Sequence, residues 1–169
     1  SGPLFRVLAR SLRAARQTSG VFDPTVGVLL DAWGFLGGRP HRPDARTLAR
    51  ARSLVGGCNV ELDARSSTVH FRRAGVTLDL GGLAKGYAIE AACRSLEAAG
   101  VAHGLVDAGG DIQVVGTRPG ARRWRIGIQD PDDANALLGI LELEPGMAVA
   151  TSGDYERCFM EGGRRYHHI

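Results

Sequence analysis

The stretch V76-T-L-D-L-G-G-L-A-K-G-Y-A88 holds the residues best placed to do chemistry. An alternating apolar pattern ends at Leu80-Gly81-Gly82, and a helical pattern starts almost at once with Lys85 in its first turn. Glycines at such a junction let backbone approach a bound group closely, and the free N–H groups of a helix start attract an anion. A lysine at that end is electrostatically unfavourable unless an anion is near. The pattern reads either as a phosphate cradle or as a tight strand-to-helix connection. Its spacing is neither G-x-G-x-x-G nor G-x-x-x-x-G-K-[ST].

Composition narrows the function classes. At 169 residues the chain suits one domain, with 44% hydrophobic and 23% charged residues. The formal net charge of +3 hides a split: residues 1–84 carry 12 Arg and no Lys against 6 acidic residues, whereas residues 85–169 carry 9 basic and 12 acidic ones. Arg6, Arg10, Arg13 and Arg16 recur at helical steps, as on a solvated helix face, and no aromatic interleaving or motif points to nucleic acid. Cys58, Cys93 and Cys158 form no CxxC and suggest neither a disulfide framework nor a zinc site; Cys93 is expected in the core. No apolar stretch reaches the length of a membrane span.

The elements that must position these residues follow from periodicity. A helix is predicted from Pro3 to about Gln17 on Phe5, Leu8, Leu12 and Ala15, closed by Gly20. Val21–Thr25 reads as an extended bend before and around Pro24, and Val26–Trp33 as a short helix or a strand. Pro43-Asp44 opens another helix that Gly56-Gly57 stops. Strands are predicted at 59–63, 68–72 and 76–80, then a helix over 83–99 on Ala84, Ala88, Ala91 and Leu96. Further strands are expected at 103–107, 112–116, 124–129, 137–143 and 147–151, with another opening at Arg165. Helices followed by antiparallel-looking strands predict an α+β domain.

Taken in order, F22-D-P-T-V-G27, W33-G-F35, L78-D-L-G-G-L-A-K-G-Y-A88, V106-D-A-G-G-D-I112, the Trp124–Pro131 block, A150-T-S-G-D-Y155 and R165-Y-H-H-I169 resemble the blocks of the ApbE family. That resemblance implies a T-fold-like α+β domain with antiparallel sheet packed against helices. It also implies the activity of FAD:protein FMN transferases: with Mg²⁺ and FAD, FMN is attached through a phosphoester to a Ser or Thr hydroxyl of a target flavoprotein, and AMP is released. A periplasmic or membrane-associated extracytoplasmic setting is implied as well.

By the same resemblance, Val21, Phe22 and Asp23 match a flavin-contacting bend. Gly81 and Lys85 match dinucleotide-contacting positions, and Ala84 matches one that offers its main-chain carbonyl to Mg²⁺. Asp107, Gly109, Gly110 and Asp111 match a block that reads as architectural or as metal-binding; Thr151, Ser152, Gly153 and Asp154 match another turn. His168 and Ile169 match the opening of an H-I-I-D-P segment. There Ile169 would contact the cofactor, and His168 would be a proton shuttle, a substrate clamp or an ordinary strand-edge histidine.

The chain opens at Ser1-Gly2 and breaks off inside that last motif, so it is expected to be the central part, residues 1–169, of a single flavin-transferase domain that lacks further metal ligands. An absent strand would leave open sheet edges through which copies associate. The alternatives are hydrolysis of the FAD pyrophosphate or a non-catalytic FAD-binding module.

Overall fold

The computed structural model describes residues 2–131, 133, 135–153 and 157–168. In chain order come α1 (Gly2–Gln17), α2 (Gly27–Ala32), α3 (Ala45–Leu54), β1 (Val60–Asp63) and β2 (Thr68–Phe71). The long helix α4 (Gly81–Ala98) follows, then β3 (Gly104–Asp107), β4 (Ile112–Val115), β5 (Trp124–Gln129), β6 (Leu137–Leu143) and β7 (Ala148–Val149). The hairpin strands β8 (Cys158–Glu161) and β9 (Arg164–His167) come last. Every paired strand runs antiparallel, so the fold is α+β as expected. The chain divides into two compact units, residues 1–84 with 156–169, and residues 85–155.

In the first unit, α1 buries Val7, Leu8, Ser11, Leu12 and Ala15 along one stripe while its arginines stay in solvent. The helix ends where Gly20, at φ +83°, donates its N–H to the Ala15 carbonyl at 2.8 Å. Leu8, Leu12 and Val60 form the core, and Leu62, Val76, Leu78 and Leu80 pack on it. The alternation at 76–80 is thus real, but the predicted strand there is not. Only a single parallel bridge joins Thr77 to Val26, and Asp79 N–H bonds the Pro24 carbonyl at 2.7 Å. The backbone alongside turns at Pro24-Thr25 instead of staying extended, so the ladder cannot propagate.

The segment Val26–Trp33 resolves as the helix α2. Gly27 sits there because a Cβ would come within 2.9 Å of the Thr77 carbonyl oxygen. Asp44 caps α3, accepting from Thr47 N–H at 2.8 Å and from the Thr47 hydroxyl at 2.8 Å. The strand opening near Arg165 has a partner on one edge. It pairs with β8, which the sequence reading missed, through a Gly162-Gly163 turn with φ of 57° and 75°.

In the second unit, Ile89 and Cys93 of α4 pack on Val115, with Val106 beside them. The buried stripe is therefore Ile89, Cys93 and half-buried Leu96 rather than the predicted alanines; Ala88 and Ala91 are exposed. The larger side chains win the core because burial gain scales with apolar area. Burial pushes the Cys93 thiol above its usual range, with Glu97 adding to the effect. The three-stranded sheet runs β3-β4-β7, and β5-β6 form a separate hairpin. Gly109 and Gly110 turn β3 into β4 at φ of 66° and 87°.

Two stability outcomes follow. Thr25→Val should cost about 1–3 kcal/mol in a denaturant melt, because its hydroxyl joins Asp23 to the Gly56 N–H in a buried network. Asp44→Ala should lower Tm at neutral pH. Hydrogen bonds from Thr47 hold the Asp44 carboxyl below its ordinary 3.8, so its contribution is present above that pH and fades as pH falls through the folded value. Thermal melts of both proteins from pH 7 down to about 2 should converge.

Candidate functional site

The bend after α1 is built from the inside. Asp23 Oδ1 accepts from Thr25 N–H at 2.8 Å and the Thr25 hydroxyl at 2.6 Å, and its Oδ2 accepts from Gly57 N–H at 2.9 Å. Thr25 Oγ1 accepts in turn from Gly56 N–H at 2.7 Å. Asp23 is buried and Thr25 is fully so. With the carboxylate satisfied inside, the residues before it face outward. Val21 is 92% exposed, and Phe22 is half-buried with its N–H bonded to Thr18 Oγ1 at 3.1 Å.

Phe22 meets the start of α4. A Cβ on Gly82 would lie 3.0 Å from Phe22 Cε2, so the ring rests directly on glycine backbone. Gly81 and Gly82 are the first helical residues rather than a connecting loop. Asp79 Oδ1 accepts from Gly81 N–H at 2.9 Å, while the Leu80 carbonyl accepts from Leu83 at 2.9 Å and Ala84 at 2.7 Å. Much of the expected N–H cradle is thus already engaged within the chain. Ala84 stands at the fourth helical position, where the helical ladder engages its carbonyl and leaves one lone pair outward.

Within the second unit, Lys85 Nζ lies 3.1 Å from Asp111 Oδ2 and 3.4 Å from the Gly109 carbonyl. The lysine is half-exposed and the pair is worth at most about 1 kcal/mol. An incoming anion can compete for it. Asp107 Oδ1 accepts from Gly110 N–H at 2.8 Å, which makes that carboxylate part of the turn. Among the described residues no group of three or more His, Cys, Asp or Glu stands together to hold a metal ion. A lone carbonyl does not satisfy the six-coordinate shell of Mg²⁺, so these residues do not by themselves fit the metal.

His168 lies in the first unit, in an aromatic cluster. Its Nδ1 is 3.3 Å from the Arg157 carbonyl, and its ring centroid is 6.2 Å from that of Phe35. A carbonyl only accepts, so this contact is a hydrogen bond in the tautomer with the hydrogen on Nδ1, which leaves the Nε2 lone pair available. Phe35 also meets Phe159 at 6.1 Å; Phe159 stacks on Tyr166 at 5.2 Å, and Trp33 meets Tyr166 at 5.6 Å. Arg164 lies over the Tyr166 ring at 5.4 Å. His167 is exposed. Thr151, Ser152 and Gly153 belong to no strand, and Asp154 and Ile169 lie outside the described residues.

The structure thus brings Phe22 to Gly82, closes Asp23 into its own network and pairs Lys85 with Asp111. Sequence reasoning quoted W33-G-F35 without a role and passed over Phe159. The signal for the latter was present: C158-F-M-E-G-G-R-R-Y-H167 is a hairpin pattern about a Gly-Gly turn.

Comparison with known proteins agrees across the chain. It is 38% identical over 167 residues to the FAD:protein FMN transferase of Rhodobacter capsulatus, covering 98% of this chain and 32% of that protein. The crystal structure of the ApbE protein from Thermotoga maritima superposes with a TM-score of 0.90 at 38% identity, over 99% of this chain and 54% of the other. The apo flavinyl transferase ApbE of Pseudomonas stutzeri gives 0.80 at 36% identity, over 96% and 50%. The chain therefore spans about half, or less, of the length of these relatives. The profile of the ApbE family matches residues 1–169, the whole length, and this chain belongs to that family.

Proposed function

We propose that this chain is the central part of a single flavin-transferase domain that moves FMN from FAD to a Ser or Thr hydroxyl of a target flavoprotein. The family match over every residue carries this reading, supported by a curated relative that is itself an FAD:protein FMN transferase. In the reaction, the hydroxyl oxygen attacks the flavin-side phosphorus. A new P–O bond forms, the pyrophosphate P–O bond breaks and AMP leaves with that oxygen. Val21 and Phe22 supply an outward apolar wall suited to a flavin ring. Gly81 and Lys85 supply the phosphate contact once Lys85 is released from Asp111. His168 takes the hydroxyl proton at Nε2, since Nδ1 is committed to the Arg157 carbonyl.

By the resemblance the main-chain carbonyl of Ala84 would be one ligand to Mg²⁺ and Ile169 would contact the cofactor; no step is assigned to the metal. The setting proposed is extracytoplasmic, and among the described residues no helix is long and apolar enough to cross a membrane. Self-association through an open edge belongs to the same proposal. The strand β9, the outer member of the two-stranded β8–β9 sheet, carries one such edge. Hydrolysis of FAD or simple FAD capture is separated from transfer by measuring AMP and protein-bound FMN with and without an acceptor flavoprotein.

Three outcomes are expected. In a protein of the relatives' full length, His168→Gln should slow FMN transfer by about 10²-fold or more while FAD affinity holds; an unchanged rate would remove His168 from the proton path. Lys85→Ala should weaken FAD binding by titration calorimetry while shifting the denaturant midpoint little, because its exposed ion pair contributes little to stability. Unchanged affinity would refute the phosphate contact. The 169-residue chain itself should show no saturation with Mg²⁺ at low millimolar concentrations in a competition titration. Tight stoichiometric binding would reveal a site that Asp79, Asp107 or Asp111 helps to form.

A further inference from the structure

His168 is held by little of its own. Its bond to the Arg157 carbonyl, at 3.3 Å, is longer than the usual N–H···O range, and the residue stands just past the end of β9. Among the described residues the imidazole is fastened at that nitrogen alone, which leaves it a swing about χ2, a broad torsion. The ring in contact with it is Phe35. Phe35 comes from a turn with little freedom. Gly34 adopts φ +74°, where a Cβ would collide with the Arg39 carbonyl oxygen, and its N–H bonds Asp31 O at 2.8 Å. Phe35 N–H bonds Leu30 O at 2.8 Å, and His41 N–H closes the loop onto Trp33 O at 3.0 Å. The Phe35 ring also meets Phe159, from the strand β8 that pairs with β9. The Trp33-Gly34-Phe35 turn therefore holds one aromatic ring beside His168.

We infer that Phe35 is a positioning residue for His168: its ring, fixed by the Gly34 turn, holds the imidazole in the orientation that keeps Nδ1–H on the Arg157 carbonyl and Nε2 outward. This rests on the reading of His168 as the group that takes the hydroxyl proton. Trp33 serves as the internal control, because it belongs to the same cluster through Phe159 and Tyr166 but not through His168.

The test is nitrogen-15 spectroscopy of the His168 side chain in the 169-residue chain, comparing wild type, Phe35→Leu, Phe35→Tyr and Trp33→Leu. Wild type and Phe35→Tyr should show one dominant Nδ1–H tautomer. Phe35→Leu should shift toward the averaged signature of a free imidazole with the amide spectrum otherwise retained. Trp33→Leu should leave the tautomer as in wild type. A Phe35→Leu protein that keeps the wild-type tautomer, or a Trp33→Leu protein that loses it equally, overturns the inference. Should Phe35→Leu fail to fold, nuclear Overhauser contacts between Phe35 and His168 ring protons in the wild type decide, and their absence overturns it. In a protein of the relatives' length, Phe35→Leu should lower kcat about 10–100-fold with KM for FAD unchanged. Full transfer by His168→Gln alongside a Phe35-dependent tautomer would instead overturn the proton-acceptor reading and leave the orientation by Phe35 standing.

Discussion

A buried carboxylate is tolerable only when its oxygens are hydrogen-bonded, and Asp23 meets that demand with partners from two stretches of chain more than thirty residues apart. Thr25 passes the connection on to Gly56, so the bend after α1 and the connection between α3 and β1 are tied as one piece. Leu12 and Ala15 of α1 lie under Gly57 at the same place. Once the bend is fixed, the Pro24 carbonyl is set to take the Asp79 N–H, and that bond fixes the approach to α4. Phe22, next to Asp23, is thereby laid against Gly82. The outward apolar pair Val21-Phe22 exists because the inward carboxylate beside it is fully occupied.

The chain manages its local charges with its own groups. Asp79 accepts from Gly81 N–H at the start of α4, and Lys85, at the fifth helical position, is matched by Asp111 from the loop after β3. A lysine at the positive end of a helix dipole is unfavourable without such a partner. Because the Lys85–Asp111 pair is partly solvated, it costs little to exchange.

The aromatic cluster uses the opposite physics. Trp33, Phe35, Phe159 and Tyr166 are all half-buried and gain from ring contacts worth about 0.5–1.5 kcal/mol each beyond area burial. They join the turn after α2 to the β8–β9 hairpin, two pieces far apart in sequence. His168 sits at the edge of that cluster, so its setting depends on packing that local sequence does not encode.

Much was legible from residues alone. The Leu8–Leu12–Ala15 stripe, the Asp44 cap, the Gly20 stop and the Gly109-Gly110 turn are local devices whose periodicity or backbone angle is written in the sequence, and the ordered motifs carried the family. Partnerships between distant segments were not legible. Residues 76–80 alternate like a strand, yet lie beside a turn and pair only once; α4 has alanines at helical spacing, yet buries Ile89 and Cys93 because those fill the space over Val115. The resemblance set Asp23 in a ligand-contacting bend, and the bond its carboxylate accepts from Gly57 comes from a neighbour that only folding supplies. Lys85 read as a lysine in need of a nearby anion, and which carboxylate supplies it, Asp111, only folding decided. Local steric and hydrogen-bonding rules act over a few residues and leave a periodic trace. Which distant group satisfies a buried charge or fills a gap is decided by close packing in three dimensions, which leaves none.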